Sequence, residues 1–163
     1  MNKIYFFISI LFLMNSCSNN TIYSKFKSIE NSKWNKDSII SFNIDIKDTL
    51  SNNSIFINLR NNKDYEFNNI FLIVGIDYPN NTKIIDTLEY KMTDDRGVFL
   101  GTGFTDVKEN KLEFKENINF SIAGVYKFNV QQAMRKNGIE EGVEYLNGII
   151  DVGIQIERIT DTN

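Results

Sequence analysis

Histidine is absent from this chain, and cysteine, proline and tryptophan occur once each. Without histidine there is no Ser-His-Asp or Cys-His nucleophile pair, and no zinc site that depends on imidazole or on several thiolates. A single cysteine, Cys17, has no partner for a disulfide within the chain, so the fold has to be held by burial alone. The one proline, Pro79, stands in Tyr78-Pro79-Asn80-Asn81, a turn where its missing N–H costs little. Neither sign of charge dominates: 18 Lys and Arg face 21 Asp and Glu, a net charge of −3. That balance is spread thinly and argues against nucleic acid as a partner. A phosphate-binding loop is missing too, because Gly101-Thr102-Gly103 has no Lys before Ser or Thr at the required spacing. No cofactor is expected.

Long apolar runs are also scarce. One extends from Ile4 to Met14, broken by Ser9 and preceded by Lys3. It covers about half of the roughly 20 residues a membrane-spanning helix needs, and it leads through Asn15-Ser16 into Cys17. This is the layout of an export signal. Enzymes that process lipoproteins require cysteine at the first mature position, because its thiol accepts the diacylglycerol. The pattern predicts a signal peptide over 1–16 and membrane lipid attached to Cys17. From Cys17 to about Lys33 the chain is rich in Asn, Ser and Lys with no sustained period, which predicts a flexible tether over 17–33. Trp34 then opens a folded domain over 34–159, followed by a short tail over 160–163.

Within that domain the dominant period is two. Ile40, Phe42, Ile44 and Ile46 alternate with polar residues, and Ile55, Ile57 and Leu59 repeat the pattern, so these two segments read as neighbouring antiparallel strands. Ile70 to Ile76 is almost continuously apolar and reads as a central strand covered on both faces. Lys83 to Lys91 is a weaker strand, and Asp94-Asp95-Arg96-Gly97 a turn. Gly101 and Gly103 suggest a bulge or a close backbone approach. Phe114 to Phe120, Tyr126 to Val130 and Ile150 to Ile156 complete the series. Only Gln131 to Leu146 has helical character. Short strands separated by turn signals predict an all-β chain, an antiparallel β-sandwich of immunoglobulin-like or jelly-roll-like type. Tyr126 also suits a tyrosine corner, in which the hydroxyl ties a strand entry to backbone upstream.

Catalytic options are few. Asp94-Asp95 and Glu140-Glu141 are adjacent acids, which point to opposite faces on a strand and fix backbone or stay solvated in a turn; Asp94 and Asp95 are also the acids best placed for calcium. Arg60 and Arg135 each end or follow an apolar strand. Each is expected either to pair with a carboxylate, with Asp64, Asp94 and Asp151 the candidates, or to contact a partner protein.

The segments Leu59-Arg60-Asn61-Asn62-Lys63-Asp64-Tyr65-Glu66-Phe67-Asn68-Asn69-Ile70-Phe71-Leu72 and Asp95-Arg96-Gly97-Val98-Phe99-Leu100-Gly101-Thr102-Gly103 carry a family resemblance. With Asp86-Thr87-Leu88-Glu89, Gly124-Val125-Tyr126-Lys127-Phe128 and Gln132-Ala133-Met134-Arg135, they resemble the gliding motility lipoprotein family GldH of Bacteroidota, from Trp34 to Glu157. The resemblance implies an outer-membrane lipoprotein needed for movement over surfaces. It would work beside other gliding lipoproteins and a secretion machine that exports adhesins, and no reaction is implied. Without an acidic cluster after Cys17, the domain is expected to face the periplasm. Loops on a rigid sandwich are where recognition commonly sits, so Arg60, Tyr65, Asn69, Arg96, Phe99 and Arg135 are the expected partner-binding residues. The competing expectation is a carbohydrate-binding envelope lipoprotein that stacks sugars on Trp34, Tyr65 or Tyr90.

Overall fold

The alternating segments fold into ten strands in a computed structural model that describes residues 20–160. In chain order these are β1 (Thr21–Ser28), β2 (Lys33–Asn35), β3 (Ile40–Ile46), β4 (Asn52–Asn61) and β5 (Asn69–Asp77). They continue as β6 (Lys83–Lys91), β7 (Lys108–Asn119), β8 (Gly124–Gln132), β9 (Tyr145–Asn147) and β10 (Ile149–Arg158). One sheet has the order β1-β10-β4-β7 and the other β3-β8-β5-β6, both antiparallel, with β2 and β9 as a separate pair. Counting the eight long strands alone, the orders become 1-8-3-6 and 2-7-4-5. That is the order of a jelly roll, two interlocked Greek keys. Of the two sandwich types expected, this strand order selects the jelly roll.

Side chains of period two from both sheets meet in one core. Phe42, Ile44 and Ile46 of β3, Tyr126, Phe128 and Val130 of β8, and Ile70, Leu72, Val74 and Ile76 of β5 face Ile55, Ile57 and Leu59 of β4 and Val152, Ile154 and Ile156 of β10. All are buried. The tyrosine corner is present: Tyr126 donates its hydroxyl proton to the Ile122 carbonyl at 2.8 Å, and its ring packs edge-on against Phe120 and Tyr78, each at 5.0 Å between centroids.

Several expectations are corrected. The segment from Thr21 to Lys33 is not a tether, because Thr21 to Ser28 pairs with β10 from Glu157 to Asp151. Its polarity misled because β1 is an edge strand, bonded on one side, where lysines such as Lys25 and Lys27 reach solvent. Trp34 is buried, and the folded part starts before it. β3 and β4 are consecutive but lie in opposite sheets, and the connection between them crosses the sandwich. β5 is covered on one face only, since Phe71 and Ile73 are half-buried on the other. Gln131 to Leu146 holds no helix; Gly138 serves a turn, and Gly142 bridges back to Arg135. The signal peptide over 1–16 and Cys17 lie outside the described residues.

The topology gives the sandwich two distinct ends. Asn20, the 47–51, 78–82 and 120–123 connections and the end of β10 lie at one. The 29–32, 62–68, 92–107 and 133–144 segments lie at the other. The ten residues of β4 run between them, a separation of about 30 Å at the rise of an extended strand.

Candidate functional site

The six residues expected to contact a partner all map to the second end or its margin, far from where the described chain begins. Three of them touch. Tyr65 donates to the Asn69 carbonyl at 2.6 Å, and its ring lies 6.4 Å from that of Phe99. Tyr65 is buried, only 4% exposed, and loss of water pushes its hydroxyl pKa up. It is therefore a clamp under the 62–68 loop and not a surface contact, which corrects its expected role. Phe99 is half-buried over the core, held by a bridge between its strand segment and Thr93. The Asn69 side chain is engaged by Glu89 at 2.5 Å.

Arg96 is exposed but turned back on its own loop, with Nη2 2.9 Å from Asp94. Asp94 also accepts the N–H groups of Arg96 and Val98, and these bonds, that from Val98 foremost, hold its carboxyl below the usual range. Asp94 is thus spent on its turn, and Asp95 reaches Lys91 at 2.7 Å. Among the described residues no three of Asp, Glu, His or Cys converge as metal ligands.

The two arginines separate. Arg60 lies on the outer face of the β4 sheet, with Nε 2.8 Å from Glu109 and Nη1 3.5 Å from Asp151. Its guanidinium covers the Phe26 ring at 4.0 Å. Asp151 was among the expected partners, whereas Glu109 was not. The Glu109 hydrogen bond is the main reason the Arg60 charge is held more firmly than usual. Arg135 is exposed and makes no ion pair among the described residues. It sits where Met134 is buried against the β5 sheet, the Phe71 N–H directed at Met134 Sδ at 3.1 Å.

Two depressions share the wall formed by Phe71, Met134, Arg135, Lys136 and Asn137. The larger, about 710 Å³, extends over the outer face of β5 to Ile73 and Ile139 and is reached by Lys36. The smaller, about 450 Å³, runs down to Glu66 and Asn69. Ile139 is 49% exposed at the tip of the overhanging loop. The result is a groove apolar along Phe71, Ile73 and Ile139, with the cations Lys36, Arg135 and Lys136 and the carboxylates Asp37 and Glu66 around it. Sequence reasoning missed Phe71, since an apolar run conceals which of its residues point outward, and Lys136 and Ile139, which lie in a loop without a period. The three aromatics proposed for sugar stacking are occupied elsewhere. Trp34 is buried with Nε1 on the Ser38 carbonyl, Tyr65 is enclosed, and Tyr90 donates to the Glu113 carbonyl with its pKa pushed up to about 12 by burial.

The family model described as GldH lipoprotein matches residues 21–156. The chain belongs to the GldH lipoprotein family. A "Gliding motility lipoprotein GldH homolog" of Christiangramia forsetii is 46% identical over 156 residues, 96% of this chain and 95% of the relative. The "Gliding motility lipoprotein GldH" of Flavobacterium johnsoniae is 44% identical over 146 residues, 90% of each. Among solved structures, the infectious bursal disease virus VP2 subviral particle matches with a TM-score of 0.38 at 15% identity. That match covers 88% of this chain and about a third (34%) of the VP2 chain. As a GldH lipoprotein the chain is a membrane-anchored protein of the cell envelope, and the GldH match begins at β1, in agreement with a domain that starts at Thr21.

Proposed function

We propose that this GldH lipoprotein is a non-enzymatic interaction component of the gliding apparatus and its associated secretion machinery. In this reading lipid on Cys17 holds it in the outer membrane with the sandwich in the periplasm, and other gliding lipoproteins or secretion proteins are its partners. One observation carries the binding role: among the described residues Arg135 and Lys136 make no ion pair, and they stand beside the half-buried Phe71 and Ile73 and the exposed Ile139. A cation next to apolar surface is the composition of an interface hot spot, and it suits a partner segment that is apolar and acidic. The carbohydrate alternative is weakened, because Trp34 and Tyr65 are buried and the Tyr90 hydroxyl is taken by the Glu113 carbonyl.

The test is reversal of the rim charge. Arg135→Glu with Lys136→Glu should leave the melting temperature unchanged, abolish spreading on agar and reduce recovery of crosslinked neighbours from living cells. Normal gliding and an unchanged set of neighbours in that variant would overturn the groove as the contact.

A further inference from the structure

The first end of the sandwich carries apolar side chains that the core does not use. Leu50 is 89% exposed, and Ile22 and Ile159 are also exposed. They lie at one end because the end of β10 meets the start of β1 on one side and the start of β4, with its 47–51 turn, on the other: the Arg158 N–H donates to the Asn20 carbonyl, and the Ile159 N–H to the Asn52 carbonyl. Leu50 is also held out by design of the turn. Asp48 accepts the N–H groups of Leu50 and Ser51 and the Ser51 hydroxyl, and Arg158 Nη2 closes the arrangement at 2.8 Å. A leucine fixed at the tip of a braced turn loses little freedom on entering an apolar phase.

The length of chain outside the described residues says what that phase is. Only Ser18 and Asn19 separate Cys17 from Asn20, so the anchor lies at most about 11 Å from this end even when fully extended. We infer that this end, with Leu50, Ile22 and Ile159 as its apolar contacts, is seated on the lipid surface of the membrane that holds the chain. The inference rests on the reading that Cys17 carries lipid. Charges around the patch are of both signs, Lys47 and Arg158 with Asp45 and Asp48, as suits headgroups that carry both. The Arg135 groove then projects away from the bilayer, about a strand's length from it.

Site-directed fluorescence tests the seat. The full-length lipidated protein is reconstituted into phosphatidylethanolamine–phosphatidylglycerol vesicles with Leu50→Cys, Ile159→Cys or, at the far end, Val98→Cys carrying a thiol-reactive dye; the native cysteine is blocked by its lipid. Leu50 and Val98 are both exposed, so neither change disturbs the core. At positions 50 and 159 quenching by aqueous iodide should fall severalfold relative to position 98, and nitroxide-bearing lipids should quench the first two alone. Protein that floats with the vesicles yet shows equal iodide quenching at all three positions would overturn the seat and leave the anchor standing. Protein that fails to float would overturn the anchor, and the seat with it.

Discussion

The Arg60 guanidinium stacks on the Phe26 ring across the bare backbone of Gly153, which separates their strands. A Cβ at Gly153 would lie 2.9 Å from Phe26 Cδ1, so the glycine makes the stack possible. Both ends of the arrangement are tied, since Ser28 donates to Asp151, the same carboxylate that faces Arg60. Arg60→Ala should therefore lower stability by about 1–2 kcal/mol, the sum of a half-exposed ion pair and a cation–π contact. Arg60→Lys should recover part of that, since it keeps the charge and loses the stacking plane. Arg135→Ala should leave the melting point in place. One set of thermal melts checks all three, and equal losses for Arg60 and Arg135 would contradict the division of roles.

Gly148 holds the far end together. Its φ of +81 is left-handed, its N–H donates to the Ser32 carbonyl, and its own carbonyl accepts from Asn62. An added Cβ would collide with the Tyr65 backbone nitrogen. Gly148→Ala should cost about 2–4 kcal/mol, combining left-handed strain with a contact that backbone cannot relieve. Chemical denaturation would reveal it as a lower midpoint at unchanged slope.

Acid should loosen the turn that presents Leu50. The Ser51 hydroxyl, followed by the N–H groups of Leu50 and Ser51, holds the Asp48 carboxyl at about 2, below its ordinary 3.8. A lowered pKa means that the unfolded chain binds the proton first, so this contribution is complete above about pH 4 and is lost as pH falls toward 2. Asp48→Asn should melt lower than the native protein at pH 5, and the gap should close between pH 4 and 2. A gap that stayed constant over that window would show the carboxylate charge to be irrelevant.

Cys17→Ser should leave the precursor unprocessed and without lipid, because a hydroxyl cannot replace the thiol in the transfer, while the sandwich from Thr21 onward still folds. Growth with a clickable fatty acid reads this directly: label on the native protein and none on the variant is expected. Loss of gliding should accompany loss of label.

Much of the core was legible. In β3, β8 and β10 each strand has one face in the core, so period two marked Phe42, Phe128 and Ile154 correctly as buried. β1 stayed hidden because none of its residues is fully buried and only Tyr23 packs against the core, which leaves no apolar rhythm to detect. Strand partners were not legible either, since β3 and β4 adjoin in sequence and part in space. Around the candidate site the local pattern failed for a different reason. Tyr65 lies in a loop that folds back so that its hydroxyl reaches Asn69, and no period in the chain encodes such a return. Arg60 and Arg135 looked alike because both follow apolar strands; Glu109, supplied by a strand far along the chain, is what makes one of them structural.

Among the described residues β1 pairs with β10 alone, Thr21 opposite Glu157. Until the C-terminal residues are available, β1 has nothing to pair with and the β4 sheet lacks the strand between β1 and β4. Closure therefore carries the entropic cost of joining the two termini of the domain, and it comes late. A chain cut short before β10 would leave β1 unpaired and its sheet open between β1 and β4, so the sandwich is closed by its C-terminal strand rather than by any local hairpin.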